Sequence, residues 1–243
     1  MALDTYANLQ TAIGNFLNRG DLSATIPDFI TLAETQMRRR FNMALNEGKM
    51  LPRKMVTRNA AFSITAATEL INVPTDFLGV LSFTIDAPAN ASTPQVQLDY
   101  IGPENLAYLK QRRGQTAAND TPSVFSIVGA QFQFLPIPDK NYTGDLIYWQ
   151  DFANLATSPN TNWIFANHPD AYLYGALTAA APYLLDDARI AVWGNLFTQA
   201  IEDIIASDPL PPDRSRLQMD SGLTFRPRMN SWSIATGDFS YGP

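Results

Sequence analysis

Two segments near the start of the chain repeat apolar residues every three or four positions. The first spans residues 5–17 and is followed by Gly20, and the second begins near Pro27 and is followed by Gly48. Side chains at this spacing share one face of an α-helix, so each segment predicts an amphipathic helix that ends at its glycine. We expect the two helices to form an antiparallel hairpin. The predicted apolar positions are Tyr6, Leu9, Ile13, Phe16 and Leu17, then Ile30, Ala33, Met37, Phe41, Ala44 and Leu45.

From residue 55 to residue 151 the pattern changes to short, often alternating apolar runs between turn residues. Such runs predict β-strands, and Val124–Phe134 predicts a hairpin around Gly129. A short helix is predicted over Pro103–Lys110, followed by a polar loop over residues 112–120. The predicted strands are Phe62–Ile64, Leu70–Val73, Val80–Ile85, Val96–Tyr100, Val124–Val128, Gln131–Phe134 and Asp145–Trp149.

The chain then returns to a helical pattern. Asn167 or His168 is predicted to cap a helix that opens at Pro169 and is apolar nearly all round, so we expect it to be buried on more than one side. Pro182 should kink or end this helix. A fourth helix is predicted to restart at Asp186-Asp187. Its stripe is Ile190, Trp193, Phe197, Ile201, Ile204 and Ile205.

These elements predict an α+β fold with a four-helix unit made from the N- and C-terminal helix pairs. An antiparallel β module is inserted between the pairs, and an extended arm follows them. The expected division is an N-terminal helical hairpin (1–50), the β module (51–162), C-terminal helices packing on residues 1–50 (163–207) and a C-terminal arm (208–243).

The arm has neither a helical nor a strand period, yet it is rich in aromatic residues, which a solvated linker would lack. Three prolines from Pro209 to Pro212 favour an extended exit from the helices. The arm could wrap its own helices, dock on a neighbouring copy or bind a different protein, and we favour another subunit. The candidate interface residues in it are Arg214, Arg216, Phe225, Arg226, Arg228, Trp232, Phe239 and Tyr241.

Composition points to contacts with other proteins. The chain is 46% hydrophobic but only 16% charged, and its net charge is −6. Low charge with many aromatics suggests surface buried against partners, and an acidic protein is not expected to bind nucleic acid generally. The absence of cysteine excludes disulfides and thiol catalysis. We read no signal peptide, and the longest apolar run is too short to predict a membrane span.

The sequence offers little chemistry. The single histidine, His168, sits where a helix cap is expected, and neither nucleotide-binding glycine motif occurs. The pairs Asp186-Asp187 and Glu202-Asp203 point about 100° apart on a helix, so each converges poorly on one ion. We therefore predict no catalytic, cofactor-binding or metal-binding residue and no enzyme activity. The alternatives kept open are a carboxylate-dependent glycan hydrolase, which would need two convergent carboxylates, and a receptor-binding module.

Two basic clusters stand out, Arg38-Arg39-Arg40 and Gln111-Arg112-Arg113. Three consecutive arginines on a helix point around most of its circumference. The first cluster is read as a solvated helix surface, as an inter-subunit ion-pair site, for which arginine is well suited, or as a DNA contact. We include Arg38, Arg39 and Arg40 among the candidate interface residues.

Several stretches resemble the head–tail adaptor (connector) family of podovirus-like tailed phages, the tail tubular protein A type. The resemblance covers residues 5–206. The stretches that carry it are Tyr6–Leu22, Ile26–Glu34, Val73–Phe77, Ile127–Gly129, Pro136–Asp139, Pro169–Leu177 and Ala181–Arg189.

The resemblance implies a structural virion protein without cofactors, made in the host cytoplasm and placed at the head–tail interface. It implies a homo-oligomeric ring of twelve copies beneath the portal protein, with helices against the portal and the β module toward the tail nozzle protein. DNA would pass through the lumen without specific binding, and an acidic lumen would keep it from adhering. The sequence leaves open which helix face meets the portal, and whether the arm binds portal, neighbour or nozzle.

Overall fold

The computed structural model of the chain describes residues 3–86, 95–114, 118–157, 159–184 and 189–207. Over these residues the protein contains six α-helices and two four-stranded sheets. The predicted α+β class is therefore confirmed. The arm, with all its candidate interface residues, lies outside the described residues, as does the Asp186-Asp187 pair.

The N-terminal helices form where the apolar repeat predicts them. Helix α1 spans Tyr6–Leu17 and is capped by Thr5, whose hydroxyl oxygen accepts a bond of 3.2 Å from the Asn8 amide. The helix ends at Leu17 as predicted, but the prediction that Gly20 closes it was wrong: Asn18 takes the left-handed conformation instead, with φ of 51°. Asparagine tolerates this conformation better than most residues do. Helix α2 spans Ile26–Asn46, and Gly48, with φ of 73°, follows it as predicted.

The later helices include one that the sequence pattern did not reveal. Helix α4 spans Trp163–Asn167 and is capped by Asn162, whose side-chain oxygen accepts a bond of 2.8 Å from the Phe165 amide. Five residues are too few to display a helical period. Helix α5 spans Pro169–Leu184 and ends two residues after Pro182, and helix α6 spans Ile190–Ser207.

The four long helices share one hydrophobic core. Helix α5 contacts α1, α2 and α6, which explains why it is apolar nearly all round. Most of the predicted stripe residues are buried. Tyr6, Leu45 and Ile205 are only partly buried, and Phe16 and Ile190, which were predicted to face the core, are exposed. The buried members of this core include Leu9, Ile13, Ile30, Met37, Phe41, Tyr172, Leu177, Trp193, Phe197, Ile201 and Ile204.

The β module consists of two sheets with strand orders β1–β8–β3–β4 and β2–β7–β6–β5. Neighbouring strands are antiparallel, except that β5 runs parallel to β6. The strands are β1 Val56–Ile64, β2 Leu70–Asn72, β3 Phe77–Asp86, β4 Val96–Gln97, β5 Asp99–Tyr100, β6 Val124–Val128, β7 Gln131–Leu135 and β8 Tyr142–Gln150. Helix α3 spans Pro103–Arg113 and packs beside β6.

Two strand predictions need correction. The single strand expected over Val96–Tyr100 is two short strands, because the chain crosses from one sheet to the other at the buried Leu98. Strand β8 begins at Tyr142, three residues before the predicted strand Asp145–Trp149. Gly144 is needed there because a Cβ atom would lie 2.8 Å from the Phe83 ring. The hairpin of β6 and β7 around Gly129 is confirmed.

A cluster of phenylalanines joins the two sheets. Phe83 of β3 packs edge-on against Phe125 of β6 and Phe134 of β7, with ring centroids 5.4 and 5.8 Å apart. Phe62 packs in the same way against Phe132, at 5.7 Å. Edge-to-face aromatic pairs at these distances are favourable beyond the area they bury. The β module thus has a core of its own, separate from that of the helices.

Candidate assembly interface

The buried and half-buried carboxylates are engaged by groups of the same chain. Asp76 accepts bonds from the Tyr148 hydroxyl (3.0 Å) and the Gln150 side-chain amide (2.5 Å). The pKa of Tyr148 is raised to about 12, mainly by burial and also by its hydrogen bond to Asp76. The Arg58 guanidinium binds both oxygens of Asp145 and lowers the pKa of that carboxyl. These contacts stabilise the sheet, and they give each carboxylate a structural role.

The remaining acidic candidates are dispersed. Asp86 ends β3, Asp99 opens β5, and Asp139 accepts a bond of 2.5 Å from the Tyr142 hydroxyl in a turn. Within the described ranges no three metal-binding side chains come together. His168 lies between α4 and α5, in the position expected of a helix boundary. A depression of about 310 Å³ brings Asp76 and Asp151 together, and each of these carboxylates is bonded to groups of the same chain: Asp151 to Arg38, and Asp76 to Tyr148 and Gln150.

Arg38 is used inside the chain. Its Nε donates to Asp151 Oδ2 at 2.7 Å, and its Nη2 donates to the Phe152 carbonyl at 3.1 Å and to the Asn154 side chain. The guanidinium also lies 4.6 Å from the centroid of the Phe152 ring. Its side chain is 23% exposed. Arg38 thereby fastens the segment that leaves β8 to helix α2.

Glu34, one turn before Arg38, completes this junction. Its side chain is buried, and one carboxylate oxygen accepts from the Leu155 amide (2.6 Å) and the Tyr172 hydroxyl (3.3 Å). Burial raises the pKa of Glu34, and burial raises the pKa of Tyr172 also. The Asn162 side chain donates to the Tyr172 hydroxyl oxygen at 2.6 Å. Sequence reasoning missed Glu34, although a glutamate between Ile30 and Met37 on an apolar face was a signal.

The other two arginines of the cluster are exposed. Arg40 lines a shallow groove with Met43 and Glu202 between the last turns of α2 and α6, and Arg39 is solvent-exposed. Three neighbouring arginines therefore serve different surfaces, as the geometry of a helix dictates. Arg39 and Arg40 remain accessible to another molecule.

One end of the helical unit exposes large apolar side chains. Phe16, Tyr183, Ile190 and Val192 form what we call the bundle-end patch, and three of them are about half exposed (48%, 57% and 56% for Phe16, Tyr183 and Val192). The ends of α1 and α6 meet there, since Arg189 Nη1 donates to the Phe16 carbonyl at 3.4 Å. Large apolar side chains exposed at one end of a domain are candidates for contact with another protein.

A second exposed apolar pair lies at the other end of helix α2. Met43 and Met50 are about half exposed, at 54% and 49%. Phe29, whose ring packs against Tyr183 of the bundle-end patch, is fourteen residues before Met43. At about 1.5 Å per residue the two positions are about 20 Å apart along the helix. The helical unit thus exposes apolar side chains near both ends of α2, and Leu32 between them is also half exposed (50%).

The β module adds a third apolar surface. A groove of about 710 Å³ beside the β6–β7 hairpin is lined by Val73, Pro74, Phe77, Leu78 and Ile127, without a charged side chain. None of the described helices is both long enough and apolar enough to cross a membrane.

Comparison with known proteins identifies the family. The family model described as SU10 adaptor protein matches residues 4–222, which is well over half of the 243 residues. No curated protein matches the chain. The family match confirms the resemblance to a phage head–tail adaptor family that the sequence stretches carry.

Proposed function

Since the chain belongs to the SU10 adaptor protein family, we propose that it forms a ring beneath the portal of a phage head and joins the portal to the tail nozzle. As a phage adaptor protein it is a virion component that contacts other head or tail proteins. The proposed ring encloses the channel through which DNA leaves. We propose twelve copies, by analogy with the adaptors that the sequence resembles.

The observation that carries the proposal is the separation of two exposed apolar surfaces along the helical unit. In a closed ring each copy contacts the next through two different faces, because the interface is heterologous. The bundle-end patch contains aromatic and β-branched side chains, whereas the opposite end presents Met43 and Met50 beside Arg40. Two unlike surfaces about 20 Å apart suit a subunit held between other subunits.

We assign the portal contact to the helices and the nozzle contact to the β module. Arg39 and Arg40 are proposed to form ion pairs with a neighbouring subunit, since both are exposed. The arm, through the aromatic and arginine residues named above, is proposed to dock on the portal or on an adjacent copy. A net charge of −6 would give the lumen a weak repulsion toward DNA. A strongly basic lumen in an assembled ring would contradict that hypothesis.

One experiment addresses the bundle-end patch directly. Val192→Glu places a charge on an exposed position and should leave folding intact, while Gln199→Glu adds the same charge seven residues further along α6. Both variants would be mixed with the cognate portal and measured by size-exclusion chromatography with light scattering. We expect V192E to lose attachment and Q199E to keep it. Equal attachment of both variants would exclude the patch from assembly.

A second experiment concerns the arm. Truncation after Leu210 should leave the circular dichroism spectrum and the melting temperature of the helical unit and β module close to those of the full chain. We expect the truncated protein to attach weakly to the portal or not at all. Unchanged portal binding would refute the role proposed for the arm.

The enzymatic alternative receives no support from a specific contact. Adaptors of this family are structural proteins. The half-buried carboxylates that a glycan hydrolase would need are bonded to Arg58, Tyr148 and other groups of the same chain. Nor does any described feature favour a receptor-binding module, because helices bracket the β module on both sides.

A further inference from the structure

The last turn of helix α3 overhangs a pocket on the β module. The pocket measures about 430 Å³, within the range of about 300–1,000 Å³ typical of sites that bury a ligand-sized group. It lies between α3 and strands β6 and β7. Its lining is Leu109, Arg112, Arg113, Ser123, Val124, Leu135 and Pro136.

The pocket combines an apolar floor with a positive mouth. Leu135 and Pro136 are buried, and Val124 is half-buried beside them. Arg112 lies 5.9 Å from the ring of Tyr108, an exposed aromatic on the same helix. Arg113 is exposed and makes no ion pair within the part of the chain that the structure describes.

The neighbouring Lys110, unlike Arg113, is paired with a carboxylate among the described residues of the same chain. It is bound to Glu69 at 2.6 Å and so contributes to the fold rather than to the pocket. Arginines near a helix C-terminus are favoured by the helix dipole. The dipole alone explains neither the apolar hollow beneath them nor the exposure of Tyr108. A segment in which a carboxylate precedes an aromatic side chain would fit both the mouth and the floor of the pocket. The carboxylate would bind the guanidinium groups at the mouth through strong paired hydrogen bonds, and the aromatic side chain would fill the apolar floor.

The arm contains one segment with this chemistry. Residues 214–228 carry four arginines and one aspartate, so the arginines would be repelled by Arg112 and Arg113. Residues 229–243 carry a single charged side chain, Asp238, which directly precedes Phe239 and is followed three residues later by Tyr241. Thirty-one positions separate Ser207 from Asp238, enough for a chain to reach ~100 Å when extended.

We infer that the pocket beneath the end of helix α3 binds the Asp238–Tyr241 segment of another copy of this chain. Asp238 pairs with Arg112 and Arg113, and an aromatic side chain from Phe239 or Tyr241 fills the floor. This inference rests on the proposed function, in which arms contact adjacent copies. It adds the receiving site and explains the second basic cluster, which the adaptor role left unused.

Cysteine cross-linking tests this placement cleanly because the chain contains no cysteine. Gln111→Cys on α3 and Ser240→Cys in the arm leave every proposed contact residue in place. The two single-cysteine proteins are mixed, assembled with the portal and mildly oxidised. A disulfide-linked dimer on a non-reducing gel then reports contact between copies. Thr31→Cys, on the exposed face of α2, replaces Gln111→Cys in the matched control.

We expect the Q111C–S240C dimer to form at least about tenfold more than the T31C–S240C dimer, since a paired charge and a buried ring together hold the segment in place. Adding Arg112→Glu and Arg113→Glu to the Q111C protein should reduce the yield to the control level. Adding Asp238→Lys to the S240C protein should restore the yield with that charge-reversed partner. This restoration distinguishes charge pairing from mere proximity.

The results that would contradict this inference alone differ from those that would contradict the proposed function as well. An assembled ring, verified by light scattering in the same sample, without the specific dimer would overturn this inference and leave the ring intact as a proposal. The same holds if a Q111C/S240C double variant cross-links only within one chain. Absence of any assembly with the portal would overturn both the inference and the proposed function.

Discussion

The tightest crossing of the helical unit gives the sharpest stability prediction. At Gly175 of α5 an added Cβ atom would lie 2.9 Å from Phe197 Cε2 and 3.0 Å from Ala33 Cβ. Three helices meet at this glycine, since Phe197 belongs to α6 and Ala33 to α2. Phe197 and Ala33 are themselves buried, so neither can move aside cheaply. We predict that Gly175→Ala destabilises the protein.

Two opposing effects set the magnitude. Replacing glycine by alanine inside a helix contributes about 1 kcal/mol of stability from backbone propensity alone. Forcing a methyl group into a packed core costs about 1–3 kcal/mol. The contacts at Gly175 are closer than real Cβ atoms tolerate, so we expect the upper half of that range. The net change in the free energy of unfolding should be a loss of about 1–2 kcal/mol.

Gly194 of α6 is the matched control, because among the described residues only the neighbouring backbone of α6 itself comes close to the position that an alanine Cβ would take there. Gly194→Ala should therefore gain up to about 1 kcal/mol from propensity. Urea denaturation followed by circular dichroism would measure both variants against the parent protein. If G175A stabilised the protein as much as G194A, the close approach of α2, α5 and α6 would be refuted.

Three further predictions test polar contacts. Ser126→Ala should stabilise the protein by about 1 kcal/mol in thermal unfolding, because the Ser126 hydroxyl is buried without a hydrogen-bond partner among the described residues. Arg38→Ala should cost about 2–3 kcal/mol in urea denaturation, whereas Arg58→Ala should cost less, because the Arg58 side chain is 63% exposed. Burial raises the pKa of Glu34, so the parent should gain stability relative to Glu34→Gln as the pH falls from about 8 toward the ordinary pKa of glutamate. If the stability difference between the parent and Glu34→Gln stayed constant across that pH range, the raised pKa of Glu34 would be contradicted.

The sign of the last prediction follows from linkage. The folded state holds a proton on Glu34 more tightly than the unfolded chain does, because burial disfavours the carboxylate. In the window between the ordinary and the raised pKa, the folded state therefore binds more protons, and stability falls as pH rises. The glutamine variant lacks this titration, so the difference between the two proteins isolates it.

The candidate interface was only partly predictable. Arg38 was grouped with Arg39 and Arg40 because the sequence shows three consecutive arginines but not which of them is bonded within the chain. The partner of Arg38 is Asp151, 113 residues away, and no local pattern connects them. The exposed state of Phe16 was equally hidden, since its spacing matched the buried stripe of α1 although it lies at the open end of the helical unit.

Local periodicity determined most of the elements by itself. Helices α1, α2, α5 and α6 and the β6–β7 hairpin follow from apolar spacing. An element that buries one face needs apolar residues at the repeat of that element, and this repeat can be seen in the sequence. Tertiary structure alone decided the rest. The crossing of the chain between sheets at Leu98 and the burial of Glu34 both depend on partners distant in sequence. Such contacts are set by packing in three dimensions, which a one-dimensional pattern does not contain.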